Sequence, residues 1–438
     1  MKFGTDGVRG AAHTELTAEF ALDLGRAAAR VLATASNTRL AVVGGDTRES
    51  TPVFDAALCT GFSAEGLEVV RLGVVPTPMV AFEAQRLGAL GAVVSASHNP
   101  YGDNGIKLFA AGGVKLQDEV EQQIEAELER LTTPNGPAGL IRASVDHEPY
   151  MNHVLAILEG RRLTGVKVVL DAANGAAYEV APDVLRAAGA DVVVIAAEPD
   201  GRNINKGCGA TAPEAVAAAV LEHGADIGVA LDGDADRLIA VDHNGAIVDG
   251  DHIIAIAADD LRALGQLRND TVVVTVMTNL GFRLAMRDAG IDVVETAVGD
   301  RYVLEALAAG NHSLGGEQSG HVIFADHATT GDGLLTAVVL LDAMARTGRS
   351  LADLAAEAMT SLPQVLVNVR VAERVPDVAD RLADEIALAE TSLGETGRIL
   401  VRASGTEPLI RVMVEAPTRE QAQQVADDLA SHARTRFA

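Results

Sequence analysis

Asp232, Asp234 and Asp236 alternate with Gly233 and Ala235 in the run LDGDADR, residues 231–237. Residues 227–231, IGVAL, are apolar throughout and read as a buried strand, so the acids stand at its carboxyl end, where open α/β sheets bind their ligands. Gly233 and Ala235 add almost no bulk, and a turn could bring three carboxylates to one point. Together they would repel without a cation, and three hard oxygen donors suit Mg²⁺ or Ca²⁺. A calcium EF-hand needs Glu at the twelfth position, where this sequence has His243, so the pattern favours magnesium. An acidic surface turn is the structural alternative.

Four further segments carry reactive side chains. Val93-Val94-Ser95-Ala96-Ser97-His98-Asn99-Pro100 is a second apolar strand running into polar residues, with Ser97 near its end and Lys107 ten residues on. Adjacent Ser and His seldom face each other as a hydrolase triad requires, and Ser95 and Ala96 stand where a nucleophile elbow needs glycine. A serine in this setting could instead carry a phosphoryl group. The run RASGTEPLIR, residues 402–411, places Ser404, Gly405 and Thr406 between Arg402 and Arg411. Backbone amides of such a loop can approach an anion, and the arginines can bind phosphate bidentately. It lacks the Gly-Lys-Ser/Thr of a Walker loop. In GGEQSGH, residues 315–321, glycines flank Glu317, Ser319 and His321; the first two could read sugar hydroxyls and the histidine could move protons. Residues 3–10, FGTDGVRG, form a Gly-rich opening with Arg9.

These segments need elements to position them. Short Val-rich runs alternate with Ala-rich helical stretches through most of the chain. Residues 40–44, 67–72 and 90–95 read as strands, with helices over 17–35, 52–65 and 116–131. A second set has strands at 167–170, 191–196 and 227–231 and helices over 176–188 and 212–223; a third opens with strands at 271–277 and 292–297. Continuous apolar strands between helices indicate α/β layering with strands buried on both faces. Residues 132–149, with three prolines and two glycines, read as a linker, and residues 99–105 as a turn. A softer boundary falls near 249–252, and another at SLPQ, residues 361–364, where a Val-alternating run begins. The expected organisation is three similar mixed-sheet α/β domains, residues 1–149, 150–250 and 251–362, and a smaller α+β domain, residues 363–438.

The 438 residues include 61 acids against 35 Lys plus Arg, a formal charge of −26. That balance argues against nucleic acid or an anionic membrane as a general partner. It also requires local basic groups if the substrate is an anion. Cys59 and Cys208 are the two cysteines, without zinc-like spacing or a disulfide framework. The N-terminus lacks the apolar stretch of a secretory signal and no apolar run approaches a membrane span, so the expected compartment is the cytoplasm.

Taken in order, the five motifs resemble the α-D-phosphohexomutase family, from Phe3 to Arg411. The FGTDGVRG opening and Gln318 in GGEQSGH resemble its amino-sugar branch more than its glucose and mannose branches. The resemblance implies four domains around a central cleft, each supplying one loop. It implies a phosphoserine at Ser97, with Mg²⁺ on Asp232, Asp234, Asp236 and a phosphoryl oxygen of Ser97. Glu317 and Ser319 would take the sugar hydroxyls, while Arg402, Ser404, Gly405, Thr406 and Arg411 would hold the phosphate that is not reacting. Arg9, Lys107 and Arg237 would line the transfer site.

The implied reaction interconverts glucosamine 6-phosphate and glucosamine 1-phosphate, supplying UDP-N-acetylglucosamine and cell-wall precursors. The two sugar oxygens are too far apart for one-step transfer, so a phosphoserine would donate to one and a 1,6-bisphosphate would turn over before giving its other phosphoryl back. The same bisphosphate would act as activator. Such transfer needs positioning and charge stabilisation above all, and either Lys107 or His321 as general base. The fourth domain would swing about residues 361–364, and analogy suggests a homodimer. Three alternatives stand beside this reading: a glucose or mannose substrate, an Asp-nucleophile phosphatase using residues 232–236, and a non-catalytic sugar-phosphate binder.

Overall fold

The computed structural model describes residues 1–4, 6–134, 136–404 and 408–437. They fall into two compact units, one of residues 1–277 and 291–358, the other of residues 278–290 and 359 onward.

The first unit contains three mixed sheets with one plan. In each, a central strand is flanked in parallel by two others, and one of those is followed by an antiparallel return. In the first sheet the centre is Leu40–Gly45, with Glu68–Val74 and Leu90–Val94 beside it and Asp103–Ala110 returning against Leu90–Val94. In the second the centre is Lys167–Asp171, flanked by Asp191–Ile195 and Ile227–Leu231, with Leu238–Asp242 returning. In the third the centre is Thr271–Thr275, flanked by Asp292–Thr296 and Leu314–Gly316, with Val322–Phe324 returning. Three of the segments with reactive side chains, residues 95–102, 232–237 and 317–321, are the hairpin connections at these returns. Leu90–Val94, Ile227–Leu231 and Leu314–Gly316 are buried at every position, so each loop leaves a fixed strand end.

Helices cover the sheets as their sequences direct. Thr17 caps the helix Ala18–Ser36 by accepting from the Phe20 N–H, and its buried stripe of Ala21, Leu24, Ala28 and Leu32 joins the first core. This helix meets Thr51–Ala64 so closely that a Cβ on Gly61 would lie 2.2 Å from the Leu22 carbonyl oxygen. The second unit has an antiparallel sheet with Leu409–Glu415 between Gln364–Arg370 and Arg398–Ala403, packed on the helix Arg419–Phe437. It also includes the helix Leu280–Ala289.

Several expectations change. The turn expected over residues 99–105 ends at Gly102, because Asp103–Ala110 pairs with Leu90–Val94 on one side and Val8–Ala11 on the other. Pairing of Asp103–Ile106 with Val8–Ala11 outweighs the turn preference of Asp-Asn-Gly. The proline-rich stretch 132–149 contributes a short edge strand, Ile141–Ala143, to the first sheet. The helix Thr77–Leu87, opening with two prolines around Thr77, was not expected. Leu362, in the stretch 361–364, is tied to Asn279 of its own unit in both directions. Among the described residues no helix is long and apolar enough to cross a membrane.

Candidate active site

The serine loop is held in an uncommon conformation. Ser97 has φ 52°, in the left-handed region that costs a non-glycine residue about 1–2 kcal/mol, and it is buried. Its N–H donates to Ser95 Oγ at 2.9 Å, and its Oγ donates to Asp232 Oδ2 at 2.6 Å. Serine and acidic loops therefore meet, although 135 residues separate them. Ala235 makes the matching turn among the acids, with φ 57°. Backbone strain at both points persists because the surrounding contacts fix it.

Asp232, Asp234 and Asp236 are all buried, and one oxygen from each lies within 4.8 Å of the others. Asp234 Oδ2 accepts from Thr77 Oγ1 at 2.6 Å and Lys107 Nζ at 2.8 Å, and Asp236 Oδ2 accepts from Lys107 at 3.0 Å. The Asp234 Oδ1 is buried without a hydrogen-bond partner among the described residues, and the Asp236 Oδ1 is approached by His321 Nδ1 at 3.5 Å and Arg237 Nε at 3.8 Å. Burial, reinforced by Asp234 and Asp236, drives the Asp232 carboxyl well above its usual range. Burial also opposes the charge on Asp236, but Lys107 and His321 outweigh it and hold that group well below the usual range. Three buried carboxylates within reach of one another, one of them pushed towards neutrality, form an all-oxygen donor set that fits a divalent cation such as Mg²⁺.

Lys107 stands opposite Val93 in the sheet, beside the strand that leads into the serine loop. Its ammonium meets Asp6 at 2.9 Å as well as Asp234 and Asp236. Burial alone would lower its pKa, but the three acids raise it well above the usual value. His321 lies 3.5 Å from both Asp236 and Asp300, and its Nε2 accepts from the Gly331 N–H at 3.1 Å. With Nε2 so used, the ring proton of the neutral form sits on Nδ1, facing Asp236. Burial lowers its pKa, Asp236 and Asp300 raise it, and the net direction is up.

Asp236 and His321 border a cleft of about 450 Å³ that is also lined by Arg9, His98, Arg237 and Glu317. Arg9 pairs with Asp6, and Arg237 lies 3.8 Å from Asp236. Burial and the nearby Arg237 and Arg9 depress His98 to about 4, so the ring is neutral, and Lys2, Arg9 and Arg237 carry positive charge in the cleft lining. Glu317 accepts from the Gly299 N–H at 3.1 Å and from Ser319 Oγ at 3.5 Å. Gln318 turns instead to Asp249, donating at 3.3 Å, and its carbonyl accepts from the Gly250 N–H at 3.0 Å. Its influence on the loop is therefore exerted through Asp249 and the helix that Asp249 caps.

In the second unit Arg402 and Arg411 are directly opposed on antiparallel strands and share one face. Neither makes an ion pair with a described residue. Burial and the facing Arg411 lower the Arg402 pKa, a sign of repulsion that a bound anion would relieve. The Ser404 N–H closes the loop by donating to the Leu409 carbonyl at 2.8 Å. Gly405 and Thr406, expected in the same loop, lie outside the described residues.

The structure thus brings together Ser97, Lys107, Asp232, Asp234, Asp236 and His321, with Arg9, Arg237, Glu317 and Ser319 beside them. Sequence reading did not single out Asp6, Thr77, Lys115 or Asp300. Lys115 donates to Asp6 at 2.6 Å and also contacts Asp300, so it links the opening loop to the acid beside His321. Only Asp6 had a local signal, the Gly-rich segment around it.

Comparison with known proteins agrees with this architecture. Four models of phosphoglucomutase/phosphomannomutase match: α/β/α domain I over residues 1–135, domain II over 148–245, domain III over 249–362, and the C-terminal domain over 366–432. The chain belongs to the phosphoglucomutase/phosphomannomutase family, and it is an enzyme of the isomerase type that the family comprises. Among curated relatives, the phosphoglucosamine mutase of Rhodococcus opacus is 54% identical, covering 98% of each chain, and that of a Nocardioides species is 56% identical, covering 98% of this chain and 97% of the relative. A family member from Burkholderia thailandensis, solved by crystallography, is 26% identical with a TM-score of 0.83, covering 98% of this chain and 97% of the other. An Aspergillus fumigatus N-acetylphosphoglucosamine mutase, solved with GlcNAc-6P and magnesium, shares the fold at 18% identity and a TM-score of 0.69, covering 100% of this chain and 96% of that one. Family membership sets aside the Asp-nucleophile phosphatase and the non-catalytic binder.

Proposed function

We propose that this chain interconverts glucosamine 6-phosphate and glucosamine 1-phosphate through a phosphoserine at Ser97 and a bound 1,6-bisphosphate. The observation that carries the reading is Ser97 itself: a buried hydroxyl in a left-handed turn, 2.6 Å from Asp232, at the edge of the acid triad and Lys107. The substrate rests on the naming of the relatives that match nearly full length.

In the forward step the sugar's free hydroxyl oxygen bonds to phosphorus as the Ser97 Oγ–phosphorus bond breaks. Its proton passes to a neutral base and returns when the second phosphoryl is handed back; His321 is the candidate of the two, because three acids hold Lys107 as a cation. Arg9, Arg237 and Lys107 concentrate positive charge where the phosphoryl moves, which answers the difficulty of an acidic chain acting on an anion. Asp232, Asp234 and Asp236 would hold Mg²⁺, which when bound neutralises charge on phosphoryl oxygens. Glu317, which accepts from the Gly299 amide, and Ser319, which donates to Glu317, would read the sugar hydroxyls. Arg402, Ser404 and Arg411 would grip the phosphate that is not reacting, with Gly405 and Thr406 completing their loop. A sugar 1,6-bisphosphate would prime the serine.

A coupled assay of the 6-phosphates of glucosamine, glucose and mannose tests the reading. The expected order places glucosamine 6-phosphate first by kcat/KM. Preference for either other sugar would replace the substrate while keeping the chemistry.

A further inference from the structure

Phosphorylation removes the hydrogen from Ser97 Oγ, so the bond that this atom donates to Asp232 exists only in the free enzyme. The residue must nevertheless present its oxygen to the same place whether it carries the phosphoryl or has lent it. Its main-chain contacts do not depend on that state. The Ser97 carbonyl oxygen accepts from Arg48 Nη2 at 3.1 Å and from Asn205 Nδ2 at 2.9 Å. The same two nitrogens reach the Asn99 carbonyl, at 2.5 and 3.2 Å respectively. Two carbonyls of the serine loop are thus gripped from both sides.

The two donors come from different sheets. Arg48 follows the strand Leu40–Gly45 of the first, and Asn205 follows Asp191–Ile195 of the second. Arg48 is buried against Asp46, whose carboxylate also accepts from Ser95 Oγ at 2.5 Å and Thr51 Oγ1 at 2.9 Å. Ser95 Oγ in turn receives the Ser97 N–H. Asn205 is itself in a left-handed turn at φ 58°, with its N–H on the Ala173 carbonyl at 2.9 Å. Gly233 of the acidic loop lies against the same point: a Cβ there would come 2.5 Å from the Ser97 oxygen and 2.8 Å from Asn205 Nδ2. Neither Arg48 nor Asn205 borders the cleft that the substrate would occupy.

We propose that Arg48 and Asn205 are positioning residues that clamp the serine loop by its carbonyls. They hold Ser97 in its left-handed turn through both halves of the catalytic cycle, and Asn205 keeps it in register with the acidic loop. Reaction rates fall steeply when reacting atoms are displaced by an ångström, so loosening the clamp slows phosphoryl transfer without touching substrate binding. The inference rests on the mutase reading above.

Asn205→Asp tests it, because the isosteric carboxylate removes both donated bonds and sets negative charge against two carbonyls. The expected result is a fall in kcat of tenfold or more, with KM within threefold and the thermal midpoint within about 3 °C of wild type. The rate at which a sugar 1,6-bisphosphate phosphorylates Ser97, followed by intact mass, should fall in proportion. Asn205→Ala should lose less, since it removes the bonds without adding repulsion. Retention of more than a tenth of wild-type kcat, or a rise in KM matching the loss of kcat, overturns the inference. If Asn205→Asp does not fold, Arg48→Lys, which keeps a cation beside Asp46, carries the same expectation and the same limits. A wild-type chain without mutase activity would instead overturn the functional reading and this inference with it.

Discussion

At the end of the strand Leu90–Val94, the backbone N–H and carbonyl of Ser97 both have partners, and its hydroxyl is directed at Asp232. Between Arg398–Ala403 and Leu409–Glu415, by contrast, Arg402 and Arg411 oppose each other with no described acid to pair them. Ser97 is held by its main chain without substrate, whereas the two arginines face each other with no described counter-charge. A group that makes and breaks covalent bonds must be placed before the substrate arrives, since misplacement enters the barrier directly. A group that only holds a phosphate can leave its charge uncompensated, because the ligand itself supplies the counter-charge.

Substitutions in the two regions should therefore fail differently. Ser97→Ala deletes the acceptor of the phosphoryl and is expected to lower kcat by roughly 10⁴-fold or more, with sugar phosphate binding retained. Undiminished turnover in a coupled assay would erase the distinction altogether. Asp236→Asn removes one wall of the acid triad and leaves Lys107 with fewer acids; kcat should drop by about 10²–10³-fold, and titration with Mg²⁺ should show weakened binding. A variant with unchanged metal affinity would separate the triad from any cation.

Arg411→Gln probes the other side. Loss of one charged contact to phosphate is worth about 1.5–3 kcal/mol, so KM should rise by roughly 10–100-fold while kcat changes little. Relieving the Arg402–Arg411 repulsion contributes about 0.2–1 kcal/mol, so the thermal midpoint should stay level or rise. A lower midpoint with unchanged KM would mean that the pair is structural.

The smallest expected effect concerns pH. Burial pushes the Asp332 carboxyl up to about 6, although the Leu335 N–H and Tyr150 hydroxyl favour its charge. Its folded pKa thus exceeds that of the unfolded chain, near ~4. Between those values the folded protein holds a proton that the unfolded chain has released, so stability is greatest below about pH 4 and falls until about pH 6. Asp332→Asn should flatten that slope and gain roughly 2–3 kcal/mol at neutral pH. Unlike the arginine pair, this unfavourable group has no ligand to relieve it, so added sugar phosphate should leave the slope unchanged. Denaturant unfolding across pH 4–7 gives the answer.

Much of the site was legible because each reactive loop follows an apolar strand: 227–231 announces the acids and 90–94 announces Ser97. The family resemblance fixed the order of the motifs and the fold that follows from it. Partners distant in sequence left no local trace. Thr77 reaches Asp234 across 157 positions and Asn205 reaches Ser97 across 108, and no periodicity or spacing encodes either meeting. Lys115 is a lone lysine after two glycines, and only the fold reveals it between Asp6 and Asp300. The strand Asp103–Ala110 was hidden for a related reason: its opening has turn chemistry, and pairing with Val8–Ala11, distant in sequence, overrides it.

The most direct test of the central claim is peptide-mapped intact mass of the purified enzyme after exposure to glucosamine 1,6-bisphosphate, then after a chase with excess glucosamine 6-phosphate. The account predicts one added phosphoryl group on Ser97 that the chase removes as sugar bisphosphate appears. An enzyme that turns over while Ser97 stays unmodified, or one whose label sits on Asp232, Asp234 or Asp236, would contradict it.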